Sequence, residues 1–320
     1  MFVDRGLSLE PSVVIICPGE IVSGGPEALH QLGRALLDLG VPAAMCYFPF
    51  ERVHACPSAF ATYGVPVCRF DEICAAKIVL PEARTGFARL FPDNRCWIWW
   101  LSVDHYQTGA KTDRHLPLVA LRSLGHFSQS AYAQAFLSDH GLTAQMLGDY
   151  LNPAHLTARP AEERRLRQIA YNPKKGSDVV ATLKSLLPGE RFVPIENMTP
   201  AGVSELLRQS RLYIDFGPHP GKDRLPREAA MAGCCILTGR RGAAGYAQDV
   251  AIPSRYRIDE RAADFPGSAI SAIRRLLDQF ETCTSEFDAY RAHIAREPAL
   301  FMAQVEAAFG PADPSRSQAA

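Results

Sequence analysis

The sequence lacks several features that are typical of particular classes of protein. Lysine plus arginine equals aspartate plus glutamate at 34 each, so there is no net positive charge to attract nucleic acid, and no nucleic-acid partner is expected. Nine cysteines are present, but no two have the C-x-x-C spacing of zinc knuckles or redox centres. The cysteines are therefore predicted to be reduced thiols in the core.

Long apolar runs are also missing. The first such run, residues 13–17, is far too short for a signal sequence or a membrane-spanning helix. A cytoplasmic location is expected, and peripheral contact with the inner face of the membrane stays open.

The composition is that of a globular protein. Hydrophobic residues make up 47% and charged residues 21% of the 320 residues, a balance that allows burial to offset the entropy lost on folding. Single hydrophobic cores usually stop growing below this length, so two domains are expected.

Short apolar segments alternate with helical patterns along the whole chain. Strands are predicted at 13–17, 41–47, 77–80, 96–101, 126–128, 168–171, 191–194, 212–216 and 234–238. Helices are predicted at 26–40, 131–140, 177–187, 200–209 and 226–232, and the helical region 268–309 is expected to break near Pro298. The alternation predicts an α/β fold with two Rossmann-like domains, each with a parallel sheet, facing a cleft.

The domain boundary is predicted from a change in composition near 152–163, where prolines and charged residues replace the apolar pattern. The first domain is predicted to span 1–155 and the second 156–285. A C-terminal helix, 286–310, is expected to complete the first domain, and 311–320 to be a frayed tail.

Three loops follow predicted strands and open helices, which is where open α/β sheets bind ligands. In the first, Gly24 and Gly25 leave main-chain amides free to face an anion or a substrate, or else form a tight turn that binds nothing. In the second, Lys174, Lys175 and Gly176 suit a diphosphate, or form a solvated basic turn.

The third loop, 219–228, is the densest polar segment of the chain. Its candidate binding residues are His219, Gly221, Lys222, Arg224, Pro226 and Glu228. Lys222 and Arg224 can bind phosphate, Pro226 can begin the helix, and Glu228 in its first turn can accept hydrogen bonds from ribose hydroxyls. A surface loop whose charges pair with one another is the alternative.

An acceptor-binding or catalytic role is predicted for Ser102, Asp104 and His105. They follow the tryptophan-rich strand 96–101, whose tryptophans are expected in the core. His30 and His126 are equally interpretable as satisfied core residues.

Taken together, these motifs resemble those of the retaining GT-B glycosyltransferases of bacterial polysaccharide synthesis. The stretches that carry the resemblance are Gly24-Gly25, Lys174-Lys175-Gly176, 225–234, 99–104, 130–132 and 149–152. The resemblance implies a sugar transferred from a nucleotide-sugar donor to a glycan or lipid-linked acceptor. From their positions in these loops, the predicted catalytic residues are Asp104, His105 and Arg224.

One departure from the family pattern is that Pro220 occupies the position, eight before Glu228, where the family usually has a glutamate. The chain also has no Asp-x-Asp motif, so neither a metal nor another cofactor is expected and Lys and Arg are to hold the diphosphate. A nucleotide-sugar 2-epimerase of the same fold and a non-catalytic nucleotide-sugar or glycan-binding protein remain as alternatives.

Overall fold

The structure is a computed structural model that describes residues 10–91, 95–109, 114–156 and 165–310. The predicted tail 311–320 lies outside these residues. The chain divides into two compact units, and each contains non-contiguous segments. The first unit comprises Met1–Gln129, Leu137–Asp149 and Ala299–Ala320, and the second comprises Ser130–Phe136 and Tyr150–Pro298.

The first unit is built on a six-stranded parallel sheet. Its strands, in chain order, are β1 (Val13–Pro18), β2 (Ala43–Phe48), β3 (Lys77–Pro81), β4 (Cys96–Trp100), β5 (Gly125–Ser128) and β6 (Gln145–Met146). Their order across the sheet is β2-β1-β3-β4-β5-β6, and every pair is parallel. The central strands are apolar along their whole length because helices cover parallel sheets on both faces.

The helices of this half of the chain are α1 (Gly24–Asp38), α2 (Val103–Gly109), α3 (Ala131–Asp139) and α4 (Pro153–Leu156). Leu29, Leu32 and Leu36 form the buried stripe of α1. His30 on α1 is fully buried and satisfied, since its ring nitrogens bond to the Pro26 carbonyl at 2.7 Å and the Tyr47 hydroxyl at 2.9 Å. His126 is likewise buried and hydrogen-bonded, so both are core histidines.

The second unit has a four-stranded parallel sheet. Its strands are β7 (Leu166–Tyr171), β8 (Arg191–Pro194), β9 (Ser210–Asp215) and β10 (Cys235–Thr238), and their order across the sheet is β10-β9-β7-β8. Its helices are α5 (Ser177–Leu186), α6 (Pro200–Gln209), α7 (Arg224–Met231), α8 (Gly267–Asp278) and α9 (Phe280–Cys283). With two parallel α/β units, the α/β prediction of two Rossmann-like domains is confirmed.

The last helix, α10 (Asp288–Phe309), runs through Pro298 without a break, so the break predicted there is wrong. A proline removes one main-chain hydrogen bond, and buried side chains on both sides of it, Ile294 and Phe301, hold the helix in place. The two units divide after Pro298, whereas the sequence placed the boundary at 285.

The core prediction holds for Trp99 and Trp100, which are fully buried. Trp99 lies beside Phe301 of α10, with ring centroids 6.3 Å apart, and its indole nitrogen donates to the Leu147 carbonyl at 2.8 Å. All nine cysteines are free thiols, as predicted, but Cys74 is exposed and Cys56 and Cys68 are half-buried rather than in the core.

Candidate functional site

Three loops meet at the carboxyl edge of the second sheet: 172–176 after β7, 216–223 after β9 and 239–245 after β10. Gly176 has a φ of 55°, and a Cβ atom there would lie 2.9 Å from the main-chain carbonyl of Phe216. Gly242, with a φ of 60°, approaches the His219 carbonyl so closely that a Cβ would overlap it. Only glycine combines this conformation with this approach, so the sequence brings the three loops into main-chain contact.

Four charged side chains form a buried cluster inside these loops: Lys175, Asp215, His219 and Asp223. The Lys175 ammonium hydrogen-bonds to Asp223 and lies 3.9 Å from Asp215 Oδ2. His219 is between the two carboxylates, with Nδ1 3.1 Å from Asp223 Oδ2 and Nε2 3.4 Å from Asp215 Oδ1. These histidine contacts are ion pairs rather than aligned hydrogen bonds.

The charges within this cluster set the protonation states of His219 and Asp215. Burial lowers the pKa of the His219 imidazole, but the negative charges of Asp215 and Asp223 outweigh burial and raise it to about 9. Burial raises the pKa of Asp215, and the charges of His219 and Lys175 together with the Gly217 amide reverse that effect and lower it to about 2. At neutral pH His219 is therefore a cation and Asp215 a carboxylate.

The ligand atoms of Asp215, His219 and Asp223 all lie within 4.8 Å of one another, a spacing that could hold a metal ion. The Lys175 ammonium already contacts both carboxylates, so a metal ion bound there would compete with it for the same oxygens.

Helix α7 follows this cluster and carries Glu228. The helix begins at Arg224 and not at Pro226 as predicted, because Asp223 is the last extended residue. Pro226 is tolerated in the first turn, where main-chain N–H groups have no intrahelical partner. The carboxylate of Glu228 lies 3.9 Å from His155 Nε2.

Lys222, another predicted cation of this loop, has a partner within the second unit. Lys222 pairs with Glu297 at 3.0 Å, and the fully buried Arg227 pairs with the same carboxylate at 2.8 Å. Arg227 also donates to the main-chain carbonyls of Lys222 and Asp223. Arg227, which sequence reasoning did not select, thus fastens the loop of Lys222 and the buried Gly221 to α10.

A cavity of about 470 Å³ opens beside this edge. Its lining includes Pro173 and Lys174 from the loop after β7, Ile195 and Glu196 after β8, and Val203 of α6. Exposed Lys174 thus lies at the rim of a concave surface, while its neighbour Lys175 belongs to the buried cluster.

The first unit brings its own candidates together at the carboxyl edge of its sheet. Gly24 and Gly25 form the first turn of α1 after β1, and a Cβ on Gly25 would touch the Leu101 side chain at 3.8 Å. Ser102 is buried, and its hydroxyl has no hydrogen-bond partner among the residues that the structure describes. Asp104 and His105 lie in the first turn of α2, and the His105 side chain is 66% exposed.

The sequence analysis did not select Glu82, the residue directly after β3. Its side chain is buried; Oε2 accepts from the Leu101 amide at 3.0 Å, and Oε1 lies 3.9 Å from His105 Nδ1. Burial raises the pKa of this carboxyl to about 8, and main-chain amides including Leu101 and Ser102 only partly oppose it.

Several solved structures share this architecture over nearly the whole chain. HepE of Anabaena, solved in complex with UDP-glucose, has a TM-score of 0.62 at 10% identity and covers 92% of this chain and 98% of its own. A glycosyltransferase of Rickettsia africae has a TM-score of 0.60 at 8% identity, and the match covers 92% of this chain and 96% of that one. WaaG, a glycosyltransferase involved in lipopolysaccharide biosynthesis, has a TM-score of 0.60 at 13% identity, and the match covers 93% of this chain and 100% of WaaG.

The chain has the GT-B fold. The similarity extends over both units in each of these comparisons, and at such low identity it establishes architecture alone. No protein-family model and no curated protein matches the sequence. No helix within the described ranges is long and apolar enough to cross a membrane.

A signal in the sequence could have identified Glu82. Glu82 directly follows an apolar strand, and this position was the reason for selecting Ser102 and the loop at 172–176. The strand was predicted at 77–80, but no residue after it was selected. Asp215 was missed for a related reason, since it was included in the predicted strand 212–216 as a core residue.

Proposed function

We propose that this protein is a metal-independent glycosyltransferase that moves a sugar from a nucleotide-diphosphate sugar to an acceptor hydroxyl, in polysaccharide or surface-glycan synthesis. The observation that carries the proposal is the carboxyl edge of the second sheet. A basic loop, a helix start and a cavity meet there within a GT-B fold shared with a structure solved with UDP-glucose.

In this proposal the donor binds to the second unit. Lys174 at the cavity rim, Lys175 and Arg224 neutralise the diphosphate, and the cavity beside Lys174 takes the nucleoside. Because Lys175 is paired with Asp223, a diphosphate oxygen replaces the Asp223 carboxylate as its partner. Glu228, which lies in the second turn of α7 rather than in its first, accepts from the ribose hydroxyls.

Catalysis then consists mainly of stabilising charge on the departing diphosphate. Once Lys175 has exchanged Asp223 for the diphosphate, cations held by a folded loop stabilise the developing charge with little further rearrangement. The acceptor is assigned to the first unit, at Gly24, Gly25, Ser102, Asp104 and His105. We assign receipt of the acceptor proton to His105, which is exposed and lies near buried Glu82.

A thermal-shift panel tests this proposal. UDP, GDP, ADP, CMP, dTDP and their sugars are added in the presence of EDTA, and release of free nucleotide is measured with candidate glycan acceptors. One nucleotide is expected to raise the melting temperature by linkage. Glu228→Ala should lose that rise, and Glu205→Ala, which removes an exposed carboxylate from the middle of α6, should keep it.

The other outcomes identify the rivals. Binding with no turnover on any acceptor favours a nucleotide-sugar-binding protein, and interconversion of the donor sugar without an acceptor favours a 2-epimerase. A rise in melting temperature that requires a divalent cation contradicts metal independence.

A further inference from the structure

The loop between β8 and α6 forms one side of the cavity beside the second sheet. Four of its residues line the cavity: Ile195, Glu196, Asn197 and Met198. Both ends of the loop are fixed. The Ile195 amide donates to the Tyr171 carbonyl at 2.8 Å, and at the other end the Thr199 hydroxyl accepts from the Gly202 amide at 3.2 Å. A loop anchored in this way on a strand and a helix presents its side chains in defined positions, as binding loops do.

The centre of this loop has an unusual main-chain conformation. Among the residues that the structure describes, Asn197 is the one non-glycine residue with a positive φ, at 54°. Asparagine tolerates the left-handed region better than most side chains, but the conformation still costs free energy. Main-chain conformations of this kind concentrate at functional sites. The turn at Asn197 therefore agrees with a role for this loop in binding.

The cavity combines apolar and polar walls. Ile195, Met198 and Val203 are apolar, and Glu196 and Asn197 offer polar side chains. The volume of about 470 Å³ lies within the range of about 300–1,000 Å³ that is usual for small-molecule sites. In such sites apolar side chains pack on the faces of a flat ring, and a few polar groups bond to its edge. The lining therefore suits a heterocyclic base.

Glu196 supplies the negative charge of this lining. Its side chain is exposed and forms no ion pair or hydrogen bond with any residue in the described part of the chain. A carboxylate has two oxygens that only accept hydrogen bonds. Glu196 is thus matched by a ligand edge that presents two donors side by side.

Guanine alone among the five common bases has such an edge. Its N1–H and its N2 amino group are neighbours, and both donate. Adenine and cytosine each place one amino group beside a ring nitrogen that accepts, and uracil and thymine place N3–H between two carbonyl oxygens, which a carboxylate repels. A carboxylate that reads the base edge therefore selects guanine against the other four.

We propose that the cavity takes guanine and that Glu196 selects it, so that the donor is a GDP-sugar. The carboxylate accepts from N1–H and from the N2 amino group, while the ring lies against Ile195 and Met198. The loops after β7 and β8 are neighbours because these strands pair in parallel, so the diphosphate and the base occupy adjacent loops. HepE was solved with UDP-glucose, but at 10% identity it shares the architecture and does not determine the base. The inference rests on the proposed transferase function and names its donor nucleotide.

Calorimetric titration of the full chain with nucleoside diphosphates, with EDTA present, tests this assignment. Wild-type protein should bind GDP about tenfold or more tightly than UDP, ADP, CDP or dTDP. Inosine diphosphate lacks the N2 amino group and should bind about tenfold more weakly than GDP, because one charge-assisted hydrogen bond is lost. Glu196→Gln, which lies in an exposed loop, should lose about tenfold in affinity for GDP for the same reason.

Xanthosine diphosphate distinguishes recognition of the base from a general effect on the loop. It has a carbonyl oxygen where guanine has its amino group, so it should bind to wild type more weakly than GDP. The side-chain amide in the Glu196→Gln variant offers one acceptor and one donor group. That variant should therefore bind xanthosine diphosphate at least as tightly as GDP, a reversal that a merely disturbed loop does not produce.

The matched control is Glu281→Gln, which removes another exposed glutamate of the second unit, in α9, and should bind GDP as the wild type does. Unchanged GDP affinity in Glu196→Gln, or equal binding of inosine diphosphate and GDP by wild type, overturns the inference. Tighter binding of UDP, ADP, CDP or dTDP than of GDP overturns it too, while the donor site stands. If no nucleoside diphosphate binds, the proposed donor site fails together with its base.

Discussion

The two units each bury a carboxyl group at the carboxyl end of a central strand, but with opposite electrostatic outcomes. In the first unit, the pKa of Glu82 is raised to about 8 because burial is opposed only by main-chain amides. In the second, the pKa of Asp215 is lowered to about 2 because His219 and Lys175 supply positive charge. The comparison teaches that the partners, and not burial alone, decide whether a buried acid is charged.

Removing the charge of Asp215 is expected to have the largest effect. Asp215→Asn leaves His219 and Lys175 with only Asp223, and stranding a buried charge costs about 3–5 kcal/mol. The free energy of unfolding, measured with urea at pH 7, should fall by about that amount. Glu82→Gln at the same pH should not be destabilised by as much, and equal losses in the two variants would remove the contrast between the units.

The pKa of Glu82 is raised whereas that of Asp215 is lowered, so Glu82 is predicted to make the free energy of unfolding fall as the pH rises. The folded state keeps its proton up to about pH 8, while an unfolded glutamic acid ionises near pH 4.5. Folding therefore binds a proton between these values, and stability is lost as the pH rises through that window. Glu82→Gln has no such proton to lose.

The measurement for Glu82 is urea unfolding of wild type and Glu82→Gln at pH 5 and pH 8. The variant should gain about 3 kcal/mol relative to wild type over that interval, at about 1.4 kcal/mol for each pKa unit. A constant difference between the two proteins would mean that Glu82 is ionised in the folded state.

The His219 cation is expected to give a smaller change at higher pH. Its pKa is about 9 in the folded protein against an ordinary value of 6.5, so its stabilisation is complete below pH 6.5 and is lost as the pH rises through 9. Between pH 7 and pH 10 the loss should be about 2 kcal/mol. His219→Gln, compared with wild type by urea unfolding at both pH values, should lack this part of the decrease, and parallel decreases would show His219 to be neutral.

Much of the fold was readable from the sequence because its signals are local. The β-branched run at β1 and the leucine stripe of α1 fix a strand and a helix without reference to anything distant. The uninterrupted α10 was not predictable in the same way, since the packing that carries it through Pro298 involves residues far away in the chain.

In the candidate site, too, local features were predictable from the sequence and contacts between distant segments were not. The loops of Lys175 and Glu228 could be located from their positions after strands. The pairing of Lys175 with Asp223 and of Lys222 with Glu297 could not, because each depends on which loops meet in space. Asp215 and Glu82 look like ordinary strand-end residues in the sequence, and only burial and neighbours distinguish them.

The most direct test of the donor site is calorimetric titration with EDTA present, using the nucleotide diphosphate selected by the thermal-shift panel. Lys175→Ala is compared with Arg208→Ala, which removes an exposed cation from the last turn of α6. We expect Lys175→Ala to bind at least tenfold more weakly than wild type, and Arg208→Ala to bind unchanged. Equal binding by all three proteins would contradict the assignment of the diphosphate to the loop at Lys175, and with it the proposed donor site.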